Sequence, residues 1–319
     1  MSCWLYEDGI GEERAVLVEN GQIVEALIVR EDRRLALGAV VAGRIDTIAN
    51  DGARAWVKLD GGALALLQPL PPGHSQGAEV RGVVVRESLS EFGHASRRLK
   101  PIRLRPISVE TAPADAPRLI EQLKSGPIPV EQCHAHDTDR LGEAGWHELV
   151  EEATSGIVAF AGGTLHISPT PAMTVIDIDG DLPPRALAMA AAPAVAAAIR
   201  RLGLAGSIAI DFPTLADKTG RQAIVEAFDQ ATIGPHERTS VNGFGLMQVV
   251  RRRERPSLVE LFAADRVHAE LMDNLRRAER DRGTGPITLV LDAEQMRIFA
   301  SHPEWRDRLA RRTGRNVHL

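Results

Sequence analysis

Two short strand-like runs, each carrying an acid near its end, constrain this 319-residue chain more than any other feature. The first is Val175-Ile-Asp-Ile-Asp179 and the second is Ile208-Ala-Ile-Asp-Phe212. Both have the apolar, β-branched character of buried strands. The segment between them holds one long helix, from about Pro184 to Leu202, with prolines at its start and Gly203 past its end. A strand–helix–strand unit of this length makes a right-handed crossover between parallel strands. As neighbours, the two strands carry Asp177 and Asp211 to the same end of the sheet, where open α/β sheets place their sites. Asp179 lies two residues on and shares the face of Asp177. A single acid at a strand end is most often a cap or turn residue. A matched pair is different, because two adjacent carboxylates repel unless a cation sits between them. Hard oxygen ligands suit Mg²⁺ or Mn²⁺, and such an ion can activate water for phosphodiester hydrolysis.

Around this unit the chain reads as mixed α and β. Asn20-Gly21 between the apolar runs of residues 15–29 predicts a hairpin. Four β-like runs follow, at Val40–Ile48, Arg54–Leu59, Ala63–Leu67 and Glu79–Glu87, separated by Gly- and Pro-rich turns. About five short strands over residues 37–105 fit a small barrel of the OB type. Such barrels hold single strands with surface aromatics and a basic groove. Trp56 matches the first requirement if it faces outward; an isolated Trp is equally at home in a core. Residues 106–155 are rich in Pro, Asp and Glu and read as a connector with one or two helices. Beyond it, residues 156–178 give three β-runs, and residues 206–251 give three more around a helix at about 217–231. The remainder reads as a helix at 264–281, a strand at Ile287–Leu291, a helix at 293–301 and an Arg-rich end.

The net charge of −5 would argue against a polyanionic partner if it were evenly spread. It is not. Residues 1–80 carry −5, residues 81–105 carry +5, residues 106–250 carry −9 and residues 251–319 carry +4. The first basic tract includes Arg86, Arg97, Arg98 and Lys100 on the predicted barrel, where they are candidate phosphate contacts. Arg accounts for 34 of the 38 basic residues; it forks onto phosphate and stacks on bases. A GC-rich genome explains the same bias.

Other motifs carry less. Cys133-His-Ala-His-Asp137 lacks the second ligand pair of a structural zinc site and reads as an exposed loop. His147-Glu148 lacks the second His of a zincin helix, and Gly9-Ile-Gly11 and Gly243-Phe-Gly245 lack the rest of a nucleotide fingerprint. Two cysteines, Cys3 and Cys133, point to a reducing compartment. The start of the chain has acids where a secretory peptide needs basic residues. The Ala-rich run at 186–199 is too short for a membrane span. A cytoplasmic location with no membrane partner is the expectation.

In these motifs the sequence resembles the ribonuclease E/G family of single-strand RNA endonucleases. The resemblance is carried by Gly162–Thr170, Met173–Asp179, Gly206–Phe212, Phe244-Gly-Leu-Met247 and Arg255-Pro-Ser-Leu258, with Gly38–Ile45 and Ala55-Trp-Val57 upstream. It implies an α/β (α+β) fold: a ribonuclease-H-like catalytic unit with an inserted OB-fold barrel and a small C-terminal α/β unit. The implied segments are 1–36 for N-terminal strands of the catalytic unit, 37–105 for the OB-fold and 106–155 for the connector. The catalytic unit follows at 156–263 and the small domain at 264–319. The resemblance implies Mg²⁺ (or Mn²⁺) held by Asp177 and Asp211, with catalysis by Asp177, Asp211 and Asp179 on single-stranded RNA. Asp179 stands where the family usually has Asn, and Trp56 where it has Phe. Leu66 replaces the next aromatic, Arg86 falls near a usual Lys, and Gly243 replaces a usual Arg. No Arg-Thr sensor of a 5′-monophosphate lies in residues 106–160, and the paired cysteines of a zinc link are missing. The expectation is a short member with no zinc and no zinc-linked dimer. The alternative is an RNA-binding member with little or no nuclease activity.

Overall fold

A computed structural model describes residues 2–30, 35–91 and 98–319. Strands β1 (Cys3–Asp8), β2 (Glu12–Glu19) and β3 (Gln22–Arg30) form an antiparallel meander. The turn between β2 and β3 is the anticipated Asn20-Gly21, with φ of 52° and 80°. Positive φ at both central residues matches the right-handed twist of the flanking strands.

The next unit is a closed five-stranded barrel. It uses β4 (Val40–Ile48), β5 (Ala55–Leu59), β6 (Leu64–Leu67) and β7 (Glu79–Arg86). A small hairpin of β8 (Leu89–Glu91) and β9 (Arg98–Lys100) precedes the closing strand β10 (Ile102–Ile107). The order around the barrel is β10-β6-β5-β4-β7, with β10 parallel to β6 and antiparallel to β7. Side chains alternate as a pleat requires. Ala55, Val57 and Leu59 point inward beside Ile45, Leu67, Val84 and Leu104, while Trp56 and Lys58 point out.

The acid- and Pro-rich stretch after the barrel is more ordered than a connector. It holds α1 (Leu119–Lys124), β11 (Val130–Cys133), α2 (Arg140–Glu143) and α3 (Trp146–Ser155). Strand β11 pairs parallel with β1 and completes a four-stranded sheet, β11-β1-β2-β3. Four residues with two polar members show no readable periodicity; the open edge of β1 makes them a strand. Cys133 ends that strand buried, and only the residues after it form the anticipated loop.

A six-stranded sheet follows. Strands β12 (Ile157–Phe160), β13 (Gly163–Pro169) and β14 (Thr174–Asp179) are antiparallel. Helix α4 (Pro184–Arg201) crosses to β15 (Gly206–Asp211), which is parallel to β14. Helix α5 (Lys218–Ala231) leads to β16 (Glu237–Arg238) and β17 (Leu246–Arg251). The order is β12-β13-β14-β15-β17-β16. Ile176, Ile178, Ile208, Ile210, Met247 and Val249 share one core with the small face of α4, including Ala188, Ala191 and Ala192. The same core takes in Leu5, Val16 and Ile23, so the N-terminal sheet is packed into it.

The C-terminal part contains α6 (Leu258–Ala264), α7 (Arg266–Arg280), β18 (Ile287–Thr288), α8 (Ala293–Ala300), α9 (Pro303–Thr313) and β19 (Val317–His318). The expected strand at 287–291 shortens to β18, which pairs parallel with β19. The Arg-rich end forms α9, whose Trp305 and Leu309 pack with Ile10, Met272 and Phe299.

A buried ion network joins these parts. The Glu7 carboxylate accepts from Arg14 at 2.9 Å, Arg276 at 2.9 Å and Arg280 at 3.3 Å. Arg14 also reaches Glu12 at 2.7 Å, and Arg276 reaches Asp139 at 2.6 Å. The Arg14 and Arg276 guanidinium carbons each lie 5.9 Å from the centroid of the Trp146 ring, within cation–π range. Burial works against the charge of Arg14, yet Glu12 and Glu7 outweigh it and hold the proton more firmly than usual. Burial likewise pushes the Asp139 carboxyl up, but Arg276 and the Gly142 N–H outweigh it and leave it below the usual carboxylate range. Its pairing therefore stabilises the fold fully above the unfolded carboxylate value, near pH 4, and fades as pH falls through the lower folded value. Arg276→Ala should reduce the unfolding free energy by about 3–5 kcal/mol in denaturant titrations, because it strands Glu7 with too few cations. Asp139→Asn should flatten the decline in stability between roughly pH 5 and pH 3; an unchanged slope would remove Asp139 from the account.

Candidate active site

Burial of alternate isoleucines decides where the acids go. In β14, Thr174, Ile176 and Ile178 are buried while Asp177 and Asp179 are exposed. In β15, Ile208 and Ile210 are buried and Asp211 is exposed. The parallel register sets Asp177 opposite Asp211, so the two backbones stand about 4.8 Å apart on one face. Antiparallel partners extend the row: His166 of β13 lies opposite Asp177, and Leu246 of β17 lies opposite Asp211. Asp179 shares the face, opposite Thr164.

Hydrogen bonds hold the acids close to their own backbone. The Ile178 N–H donates to Asp177 Oδ1 at 3.0 Å, and the Gly180 N–H donates to Asp179 Oδ1 at 2.9 Å. Among the described residues none of the three acids joins an ion pair. No three His, Cys, Asp or Glu side chains among the described residues converge as a metal-binding group. The arrangement is thus a two-carboxylate pair with a third acid beside it.

Sequence reasoning had not assigned a role to two neighbours. His166 sits beside Asp177 with its Nε2 3.2 Å from Thr164 Oγ1; its signal was a lone His on the polar face of β13. Phe244 is 84% exposed at the tip of the loop entering β17. That loop is tightly tied. The Asn242 side-chain oxygen accepts from the N–H groups of Phe244 (2.9 Å) and Leu246 (3.1 Å), and the Thr214 hydroxyl donates to the Phe244 carbonyl at 3.1 Å. An aromatic flanked by two glycines was the sequence sign. Gly245 has φ of +95°, and a Cβ there would meet the Phe212 carbonyl oxygen at 2.1 Å and Asp211 Oδ1 at 3.6 Å.

The barrel candidates fall elsewhere. Trp56 is 38% exposed on the outer wall, which settles its orientation. Leu66 lies opposite it on β6 and Thr47 on β4. Arg86 is half-buried, pairs in register with Arg103, and donates to the Pro101 carbonyl at 2.9 Å. Burial, then the charges of Arg103 and Arg253, push its guanidinium below the usual value. Lys100 lines the same cavity as Arg86. Arg97 lies outside the described residues; Arg98 lies on β9, with its side chain outside the description.

Residues 119–254 match the model of the ribonuclease E/G family. The matched stretch runs from α1 through the end of β17 and includes all three acids. No curated protein matches the chain.

The two glycines around Phe244 make separable predictions. Gly245→Ala should cost about 1–3 kcal/mol of stability and shift the amide signals of Asp211 and Phe212 in NMR spectra, because a non-glycine residue is strained at this φ. Gly243→Ala adds a methyl with nothing within 4 Å, and should leave those signals in place.

Proposed function

We propose that this ribonuclease E/G family member, matched over residues 119–254, is a metal-dependent endoribonuclease that cleaves single-stranded RNA. The observation carrying this reading is the register of Asp177 with Asp211 across the parallel β14–β15 pair. Two exposed carboxylates at adjacent strand positions are a fitting donor set for Mg²⁺ or Mn²⁺. Mg²⁺ in particular is commonly held by one or two carboxylates, with water and substrate phosphate completing its shell. When bound, the ion would supply an activated water and stabilise charge on the scissile phosphate.

The residues of the chain do the positioning. Asp177 and Asp211 stand at opposed positions of neighbouring strands, and Asp179 adds a third negative charge on the same face. His166 presents an imidazole nitrogen one strand away from Asp177. Phe244 offers an exposed ring, next in sequence to the Gly245 that abuts Asp211, on which a base can stack. In this reading the six-stranded sheet is the ribonuclease-H-like unit, and the barrel is an OB-fold that holds the RNA through Trp56, Leu66 and the cations around Arg86. Among the described residues no helix is long and apolar enough to cross a membrane, and a cytoplasmic role fits the reading. A second reading, RNA binding with little cleavage, is favoured by Gly243, which stands where the family commonly has Arg, just before Phe244.

Purified protein incubated with labelled AU-rich single-stranded RNA separates the two. With Mg²⁺ the parent should cleave, and EDTA should abolish cleavage. Asp177→Asn/Asp211→Asn should cleave at least about 100-fold more slowly, the loss of a few kcal/mol of transition-state stabilisation. Cleavage that persists in the double variant would sink the acid pair, and binding without cleavage in the parent would establish the second reading. Phe244→Ala should weaken RNA binding by about 1–3 kcal/mol, measured by anisotropy.

A further inference from the structure

Between the barrel and the six-stranded sheet lies a cavity of about 340 Å³. The barrel side contributes Arg86, Lys100 and Arg103. The sheet side contributes the Thr170–Thr174 turn, Ser207 at the start of β15, and Arg252 and Arg253 just after β17. Among the described residues, four arginines of the lining face one lining acid, Glu260. That acid is already engaged: it accepts from the Ser257 N–H at 2.9 Å, from the Ser257 hydroxyl at 3.0 Å, and from Arg253. Arg252 reaches Glu254 at 2.9 Å, with the Arg252 side chain largely in solvent. Among the described residues Arg103 has no ion-pair partner. The buried Nε atoms of Arg86 and Arg253 have no hydrogen-bond partner among the described residues.

Gathered guanidiniums with so little counter-charge repel one another, and burial strengthens the repulsion. This is the surrounding that depresses Arg86. An anion with several acceptor oxygens relieves it. Guanidinium groups present planar forks that match the oxygens of a phosphate.

The cavity also has a direction. Register places Arg86 opposite Arg103, Arg103 opposite Leu66, Leu66 opposite Trp56, and Trp56 opposite Thr47. The row runs over the outer wall of the barrel, with Trp56 two strands, or about 10 Å, from Arg103. On the other side, Ser207 shares the face of Asp211, four residues or about 13 Å along β15. The cavity thus lies between an apolar stacking surface and the acid pair.

We propose that this cavity binds an internal phosphodiester of single-stranded RNA, held by Arg86, Arg103, Arg252 and Arg253, as the strand passes from the barrel towards the acids. The inference rests on the single-stranded RNA reading of the protein but not on cleavage. An internal phosphate fits better than a chain end because both sides of the cavity offer surface for further nucleotides.

The test uses the full chain in EDTA, with anisotropy of a labelled single-stranded RNA carrying either a 5′-hydroxyl or a 5′-phosphate. Arg103→Gln/Arg252→Gln should bind both RNAs at least about 10-fold more weakly. Its dependence of log K on log salt should be shallower by about 1.4, two phosphate contacts at about 0.7 each. Arg103→Lys/Arg252→Lys should restore most of that slope, which a merely misfolded variant does not explain, and thermal unfolding checks the fold of each. Unchanged affinity and slope in the Gln variant would overturn the pocket even where the parent cleaves RNA. A loss confined to 5′-phosphorylated RNA assigns the cations to a chain end and overturns the internal site. A parent that binds through these arginines but never cleaves supports the pocket while removing the nuclease reading.

Discussion

One parallel strand pair inside an otherwise antiparallel sheet sets the geometry on which the rest depends. Helix α4 makes the crossover, and its alanines let it lie close against the isoleucines of β14 and β15. Side chains alternate along a strand, so burying Ile176, Ile178, Ile208 and Ile210 forces Asp177, Asp179 and Asp211 to the opposite face. A one-residue slip in either strand would put an isoleucine in water and a carboxylate in the core. Burying an unpaired charge costs several kcal/mol or more. Core and acid pair therefore specify each other, and the site needs no separate device to hold its register.

Arginine has two distinct uses in this chain. Around Glu7, Arg14 and Arg276 are almost fully buried, and they tie β1, β2, the start of α2 and α7 together. Arg308 donates to the Gly9 carbonyl, and Arg312 to Asp8 and Glu279. Much of the C-terminal basic tract is thus internal cement rather than a surface for a polyanion. The cations of the barrel junction are the opposite case: among the described residues Arg103 has no ion-pair partner, and the buried Nε atoms of Arg86 and Arg253 have no hydrogen-bond partner. Segment charge alone cannot tell these uses apart, because it counts a buried pair and an open cluster in the same way.

This explains which parts were legible in the sequence. The Asn20-Gly21 turn, the strands of the barrel and the β14–α4–β15 unit follow from local rules: turn chemistry, period-two alternation and helix-end residues. The parallel direction of the two acid-bearing strands follows from handedness and chain length, whereas their adjacency and the opposition of Asp177 and Asp211 are set by the pairing of the folded sheet. Strand β11 was not legible because it exists through the edge of β1, more than a hundred residues earlier. The fold of the Arg-rich end depends on Trp305 finding Ile10 and Met272, again a non-local contact. Trp56 could be read either way until the barrel's pleat placed it outside. Arg252 and Arg253 were read only as members of a basic tract, since their proximity to Arg86 and Arg103 is created by closure of the barrel against the sheet.

The two ends of the β14–β15 pair carry opposite charge. Acids stand where the strands finish; arginines gather where they begin. Had the arginines lain beside Asp177 and Asp211, direct ion pairs would have neutralised the carboxylates and weakened their claim on a metal ion. Had the acids lain in the arginine cavity, phosphate would have had no advantage there. Separation along the strands, by roughly 10–13 Å at about 3.3 Å per residue, avoids both outcomes. It lets one polyanion meet attraction first and chemistry second. The rigidity of a paired strand keeps the two at a fixed distance, so a phosphate held at the cationic end fixes which stretch of the strand arrives at the acidic one.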